Sequence, residues 1–154
     1  MTPEPMRLRY HGTIAAHTGY SRAVMDYTMA LLHVGVDLDI RHIPDGEMDW
    51  MPKRYEPLLA CLNKHLEPGW PTHEIVHTIP GAVDRFLPKG TPSKKIALTT
   101  WETSKLPQRG VDAVNQFDAV IVPCTWNEKV FHASGVKKPI EVVPHAIDTE
   151  WWWK

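Results

Sequence analysis

The sequence has few cysteines, no long apolar run and no excess of charge of either sign. Its two cysteines, Cys61 and Cys124, lie far apart in neither a metal-type nor a redox-type spacing. A disulfide scaffold of this length would need more of them, so we expect a reducing, cytoplasmic compartment. No apolar stretch approaches the roughly 20 residues of a membrane span, and the amino terminus has prolines and charges where a signal peptide would be apolar.

The charges are balanced, because 17 lysine and arginine residues accompany 18 aspartate and glutamate residues, for a formal net charge of -1. This balance gives no electrostatic argument for a nucleic acid or an acidic membrane as a partner. A chain of 154 residues has about the size of one domain and can bury roughly two-thirds of the surface that its unfolded form exposes. We therefore expect one soluble domain with its own core.

Strands and helices alternate in the first half of the sequence. Apolar residues at steps of three and four predict a first helix that Ser21 caps and that ends at Gly35. It follows a short strand at 7–11 and precedes a strand at 36–41, where apolar and charged residues alternate as in a strand with one face partly wet. The spacing then predicts a second helix over 55–62 and a third strand over 73–79.

The second half continues this pattern. The apolar runs 96–98 and 119–122 predict two strands that are covered on both faces, with a short helix between them around 111–117. Thr125 and Glu128 have the spacing of a capping box for a helix that ends at Gly135, and a last strand is predicted over 140–143. The alternation predicts a Rossmann-like, doubly wound α/β fold, with a mainly parallel sheet and helices on both faces.

The loop between the first strand and the first helix is one candidate ligand site. It runs from Gly12 to Gly19, and glycines permit positive φ angles and the close approach of a ligand. Backbone amides and the helix dipole favour an anion at such a place. The loop matches neither the dinucleotide fingerprint nor the lysine-bearing phosphate loop, and a turn that merely needs glycines explains it equally well. His11 and His17 lie near this loop, where a solvated histidine is the more common case.

The other histidines give no metal site. His73 and His77 are four residues apart on a predicted strand, which separates them too far to share a metal as ligands on a helix can. We therefore expect no metal.

The polar residues after the strand at 96–98 are a second candidate site. Ligands of open parallel sheets bind beyond the carboxyl ends of the strands, and this rim would carry Thr100, Trp101, Glu102, Thr103 and Ser104. Glu102 follows a buried strand directly, so a general base or a stabiliser of positive charge at this position could reach a ligand. The alternative is structural, because such a glutamate also caps a following helix or pairs with Lys105, and spacing alone favours this alternative.

Four motifs together resemble those of family 4 glycosyltransferases. They are Gly19-Tyr20-Ser21 at the start of a helix, Thr100-Trp101-Glu102-Thr103-Ser104 followed by Leu106-Pro107, the run Phe117-Asp118-Ala119-Val120-Ile121-Val122-Pro123, and Val143-Pro144-His145-Ala146-Ile147-Asp148. Their order and spacing are similar to those of the amino-terminal half of that family, from about Arg7 onward. The resemblance implies one half of a GT-B fold, in which two Rossmann-like domains face each other across a cleft. The amino-terminal domain of that fold mostly holds the acceptor, and the carboxyl-terminal domain holds the nucleotide-sugar.

The resemblance also implies roles for single residues. Glu102 would be the catalytic residue that orients the acceptor hydroxyl, and Trp101 would offer an apolar face on which a sugar ring stacks. The other acceptor-binding candidates are Thr103, Ser104 and His17. Contacts to the phosphates or the transferred sugar of the donor would come from Gly19, Tyr20 and Ser21. The reaction would be a retaining transfer that needs no metal and no cofactor besides the nucleotide-sugar substrate, since its demands are positioning and electrostatic.

The family's donor-binding residues lie in a second domain, which the 154 residues do not contain. We interpret 1–148 as the Rossmann-like acceptor-side domain and 149–154 as the start of an interdomain linker or a free tail. Such a half would be inactive alone unless another chain supplies the donor half. Trp151, Trp152 and Trp153 are costly to leave in water and predict a contact with another subunit, for instance in a homo-oligomer, whereas an exposed terminus is the alternative.

Two rival functions remain open from the sequence. The first is a non-catalytic binding or assembly module that is derived from such a domain. The second is an unrelated nucleotide-binding enzyme.

Overall fold

Six strands form one sheet in which every neighbouring pair is parallel. The computed structural model describes residues 6–44, 49–66, 69 and 71–149, so the predicted contact through Trp151, Trp152 and Trp153 lies outside the described residues. The sheet order is β2-β1-β3-β4-β5-β6. The strands are β1 (Arg7–Gly12), β2 (Asp37–His42), β3 (His73–His77), β4 (Lys94–Leu98), β5 (Ala119–Val122) and β6 (Ile140–Val142).

Helical segments connect the strands and cover both faces of the sheet. They are α1 (Gly19–His33), a 3-10 helix at Lys53–Cys61, a 3-10 helix at Val83–Phe86, α2 (Gln108–Val114) and α3 (Thr125–Ser134). Two buried clusters result, one with residues of α1 and the first 3-10 helix and the other with residues of α2 and α3. Neighbouring residues of β4 divide between them, because Leu98 packs in the first cluster and Ala97 in the second. The Rossmann-like α/β prediction is confirmed.

The chain changes direction across the sheet at β1. The connection through α1 places β2 on one side of β1, and the next strand, β3, pairs with the other side. The connections that leave β1 and β3 therefore diverge at the carboxyl edge of the sheet. Ligands of doubly wound folds bind in the crevice that forms at such a switch point.

The helix ends differ from the prediction in two places. Thr18, and not Ser21, is the N-cap of α1, and its side chain accepts a hydrogen bond from the Ser21 amide at 3.0 Å. The predicted capping box of α3 is wrong, because Cys124 occupies the N-cap and makes no side-chain capping bond. The predicted end of α3 at Gly135 is confirmed, with φ at 105° in the left-handed region that glycine tolerates.

The second predicted helix forms as a 3-10 helix over Lys53–Cys61. Pro57 lies inside this segment. Proline has no amide proton to donate, and its ring collides with the carbonyl group four residues earlier in an α-helix. The tighter helix buries Tyr55, Leu58 and Cys61 at steps of three, whereas Leu59 is 51 % exposed.

The partly wet face predicted for β2 is found at Asp37 and Arg41, which are half-buried, but not at Asp39 between them. Asp39 has no exposed side-chain area, and its carboxylate lies 2.7 Å from Arg9 Nε and 2.9 Å from Arg41. Glu74 on β3 is equally buried and accepts a hydrogen bond from the His11 ring at 3.1 Å. The buried carboxylates of Asp39 and Glu74 thus bind Arg9, Arg41 and His11, because buried charges need partners.

No helix within the described ranges has the length and apolar character that crossing a bilayer requires.

Candidate functional site

A cavity of about 490 Å³ lies at the carboxyl edge of the sheet, next to the switch point. It is bounded by the start of α1, the end of β3, the segment after β4 and the segment after β6. Its volume is within the range of small-molecule binding sites. The lining residues are Thr18, Gly19, Tyr20, Arg22, Ala23, Asp26, His77, Thr100, Glu102, His145, Ala146 and Ile147.

The first turn of α1 contributes backbone to this cavity. Gly19 and Tyr20 are the first two residues of the helix, where amide groups have no partner within the helix itself. A Cβ atom added to Gly19 would meet no atom within 4 Å, so the glycine leaves this corner open. The helix dipole adds partial positive charge at the same place.

The two glycines of the preceding loop differ in role, because Gly19 leaves the open space that is predicted whereas Gly12 contacts protein. Neither Gly12 nor Gly19 has a positive φ, and the residue of this loop that does is Ala15, with φ at 59°. The close approach at Gly12 is to protein, because an added Cβ would lie 2.7 Å from a methyl group of Val24. Gly12 therefore lets α1 pack against the end of β1, which is a structural role.

The segment after β4 is fastened by Asn127, a residue that the sequence did not single out. The Asn127 side chain accepts hydrogen bonds from Thr100 Oγ1 at 2.8 Å and from the Trp101 amide at 2.9 Å, and donates to the Trp101 carbonyl at 3.0 Å. Tyr20 Oη donates to the Thr100 carbonyl from the other side at 3.2 Å. These bonds hold the backbone on which Glu102 stands. No local pattern could have revealed Asn127, since its partners lie 26 or 27 residues earlier.

Glu102 lines the cavity with an exposed side chain. Neither structural alternative for Glu102 is found in the described part of the chain. Glu102 makes no salt bridge with Lys105, and it does not cap α2, whose N-cap is Pro107. Burial raises the pKa of Tyr20, hydrogen bonds with Thr99 and Thr100 oppose this rise, and the nearby Glu102 carboxylate adds a smaller increase. Glu102 is thus available to a ligand.

Trp101 points away from the cavity. Its indole Nε1 donates to Thr103 Oγ1 at 2.8 Å and to the Lys105 carbonyl at 2.9 Å, and the ring packs against the cluster that contains α2 and α3. The exposed residues Thr103 and Ser104 also lie outside the cavity lining. The sugar-stacking role that the resemblance implies for Trp101 would therefore lie outside this cavity.

Two further predicted residues also lie apart from the cavity lining. Ser21 is fully buried, and its hydroxyl accepts a hydrogen bond from the Ala16 amide at 3.0 Å. The His17 side chain is 64 % exposed, lies 3.6 Å from the Asp49 carboxylate and packs beside the Trp50 ring at 5.4 Å. Of the sequence candidates, Gly19, Tyr20, Thr100 and Glu102 are brought together at the cavity, whereas His17, Ser21, Trp101, Thr103 and Ser104 are not part of its lining.

His77 closes the inner end of the cavity at the end of β3. Burial lowers the pKa of His77 to about 3, and the charge of His145 contributes in the same direction, so the imidazole is neutral at physiological pH. Tyr27 lies against this ring and donates its hydroxyl to the Val143 carbonyl at 2.8 Å. Burial raises the pKa of Tyr27 to about 12, so this phenol also stays neutral.

A second cavity, of about 570 Å³, runs along α1 and shares Asp26, Ala146 and Ile147 with the first. It is lined by residues of α1 from Asp26 onward, by Arg54 and Tyr55, and by residues 146–149. Tyr55 Oη donates to Asp26 and accepts from Arg54. Arg22 and Asp26 likewise pair in the first cavity, at 3.0 Å, but that cavity also contains Glu102, an exposed carboxylate with no salt bridge among the described residues, so it is the better candidate.

Nothing in residues 6–44, 49–66 and 71–149 resembles a metal centre, in that no three histidine, cysteine, aspartate or glutamate side chains converge. No protein-family model matches the chain, and no curated protein matches it in sequence.

Proposed function

We propose that this domain is the acceptor-side half of a retaining glycosyltransferase with GT-B architecture, and that the first cavity holds the acceptor. One observation carries the proposal. Three of the four motifs that resemble family 4 glycosyltransferases contribute to the same cavity, through Gly19 and Tyr20, through Thr100 and Glu102, and through His145, Ala146 and Ile147. These segments are far apart in sequence, so their convergence is not a consequence of chain proximity.

The composition of the cavity suits a sugar. Sugar hydroxyls both donate and accept hydrogen bonds, whereas the ring carbons present an apolar face. Glu102 offers a carboxylate that accepts, and the first turn of α1 offers amides that donate. Ala23, Ala146 and Ile147 supply apolar wall on which the ring can lie. This division of polar and apolar surface is typical of small-molecule sites.

In the proposed reaction Glu102 orients the acceptor hydroxyl for in-line attack. Its carboxylate accepts the hydroxyl proton in a hydrogen bond, which directs an oxygen lone pair toward the sugar that is transferred. The bonds from Asn127 and Tyr20 keep the supporting backbone fixed, so little orientation is lost when the acceptor binds. The nucleotide-sugar would be held by a second domain, either beyond residue 154 of the same protein or on another chain.

The compartment belongs to the proposal as well. Cys61 and Cys124 are both free, and Cys124 is exposed, which suits the reducing cytoplasm that the sequence predicts.

Calorimetry with simple sugars and with nucleotide-sugars tests the proposal. We expect simple sugars to bind weakly, nucleotide-sugars to bind no better than the same sugars alone, and Glu102→Gln to weaken sugar binding about three- to tenfold through loss of a charged acceptor. Glu141→Gln is the matched control, because Glu141 is an exposed carboxylate on β6 outside the cavity lining.

The other outcomes of the calorimetry separate the rival functions. Absence of binding to any sugar or nucleotide would favour a non-catalytic assembly module. Tight binding of a free dinucleotide would favour an unrelated nucleotide-binding enzyme and would overturn the proposal.

A further inference from the structure

His77 is enclosed by aromatic rings at the inner end of the first cavity. The residue is 2 % exposed, and its ring centroid lies 6.0 Å from that of Tyr10, 5.6 Å from that of Tyr20 and 5.8 Å from that of Tyr27. Burial on this scale leaves a histidine few possible hydrogen-bond partners. Each of its two ring nitrogens must therefore be accounted for.

The first nitrogen, Nδ1, lies 2.8 Å from Tyr10 Oη. Tyr10 is completely buried, and within the described part of the chain this is the only hydrogen bond of its hydroxyl group. If Nδ1 carried the proton and donated it, the phenolic proton of Tyr10 would be buried without an acceptor, which is costly. Tyr10 is therefore the donor and Nδ1 the acceptor. Burial holds the pKa of Tyr10 well above its ordinary value, so the donor proton is retained.

The second nitrogen, Nε2, then carries the remaining ring proton. It has no hydrogen-bond partner among the described residues, yet it is not one of the fully enclosed polar atoms, and His77 lines the cavity. We propose that His77 is a ligand-binding residue: Tyr10 fixes its proton on Nε2, and this N–H group donates a hydrogen bond to an oxygen atom of the molecule in the cavity.

A fixed donor at this depth restricts what can bind there. Nε2–H is complementary to a hydroxyl, carbonyl or phosphate oxygen and rejects a cation or a group that only donates. The rings that contact His77 belong to Tyr10, Tyr20 and Tyr27. Burial and then the charge of His145 lower the pKa of His77, and the carboxylates of Asp26 and Glu102, which line the same cavity, do not offset this lowering. The inference that this oxygen belongs to a sugar rests on the proposed function. The inference about the tautomer rests only on the contact with Tyr10.

The tautomer can be measured in the ligand-free protein by long-range proton–nitrogen NMR of the imidazole, with His77→Gln to assign the signals. We expect a protonated Nε2 and an unprotonated Nδ1 from neutral pH down to about pH 5. In Tyr10→Phe, part of the protein should carry the imidazole proton on Nδ1, because the hydrogen bond that Nδ1 accepts is lost. Tyr27→Phe is the matched control. It also removes a hydroxyl group from a ring beside His77, but that hydroxyl donates to the Val143 carbonyl and not to the imidazole. A proton on Nδ1 in the natural protein, or no effect of Tyr10→Phe, would overturn the inference.

The ligand side is tested with three probes: methyl α-glucoside, UDP-glucose and inorganic phosphate. At least one probe should shift the Nε2 proton signal, and His77→Leu should weaken the binding of that probe about three- to tenfold. His77→Gln, whose amide can place a donor near the position of Nε2, should stay within about twofold of the natural protein. If phosphate alone shifts the signal, His77 remains a ligand donor while the sugar proposal fails. If no probe shifts it, or if His77→Leu binds as tightly as the natural protein, His77 is not a ligand-binding residue.

Discussion

The side-chain amide of Asn127 pairs with both polar groups of the Trp101 backbone, accepting from its N–H at 2.9 Å and donating to its carbonyl at 3.0 Å. The pairing resembles the exchange between two neighbouring strands, but it is made by one side chain. It extends the order of β4 beyond Leu98 into the segment that carries Glu102. Asn127 is 3 % exposed, so these bonds are protected from water.

Asn127→Ala should lower the free energy of unfolding by about 2–4 kcal/mol, because three hydrogen bonds of a buried side chain are lost and their partners on Thr100 and Trp101 are partly buried. Urea denaturation measures this loss. The backbone amide of Trp101 should also exchange its hydrogen faster. Asn115→Ala is a matched control, since Asn115 also binds backbone, at the Lys137 amide and the Gly135 carbonyl, but on the surface. Equal losses for the two variants would mean that Asn127 has no special role in the site.

Gly12→Ala should destabilise the fold by about 1–3 kcal/mol, the usual cost of overpacking a core. The added methyl group would lie 2.7 Å and 2.9 Å from the two methyl groups of Val24, which is fully buried and rigid at χ1. Gly19→Ala provides the comparison, because its methyl group would meet nothing within 4 Å. Thermal denaturation should therefore separate the two variants clearly. A Gly12→Ala protein as stable as Gly19→Ala would show that α1 shifts without cost.

Acid should destabilise the protein partly through Glu74. Burial alone would raise the pKa of Glu74, but hydrogen bonds from His11, Ser93 and Thr91 outweigh it and hold this pKa to about 2. A folded-state pKa below the unfolded value of about 4.5 gives stability that is fully present at neutral pH. That stability is lost as the pH falls from about 4.5 toward 2.

Urea denaturation at a series of pH values measures this effect. Glu74→Gln should be less stable than the natural protein at neutral pH, and its stability should fall less steeply through the acid window. Glu141→Gln, at an exposed position on β6, should keep the slope of the natural protein. An unchanged slope in Glu74→Gln would show that other carboxylates dominate acid unfolding.

Features that depend on burial on both faces or on one special residue could be predicted from the sequence. β4 and β5 appear as continuous apolar runs because helices cover both of their faces, and Gly135 ends α3 because its φ is positive. Contacts between distant residues could not be predicted. The alternating pattern predicts a partly solvated Asp39, because it gives no sign of the ion pair with Arg9, which lies 30 residues earlier.

The site divides in the same way. The carboxyl edge of the sheet and the presence of Glu102 there follow from the order of strands and loops. The direction of the Trp101 side chain does not, because it depends on how the chain turns after β4 has ended. The sequence gives no signal for His77 beyond excluding it as a metal ligand, because its hydrogen-bond partner Tyr10 is 67 residues away.

The central claim is that the first cavity is the acceptor site, and backbone NMR during titration with a panel of monosaccharides and disaccharides tests it most directly. The amide signals of Gly19, Tyr20, Glu102 and His145, which line the first cavity and not the second, should move together, and Glu102→Gln should reduce the movement at a given sugar concentration. The signals of Ala30 and Val34, which line the second cavity, serve as the internal reference and should stay in place. Signals that move only around the second cavity, or no movement at the first cavity with any sugar, would contradict the claim.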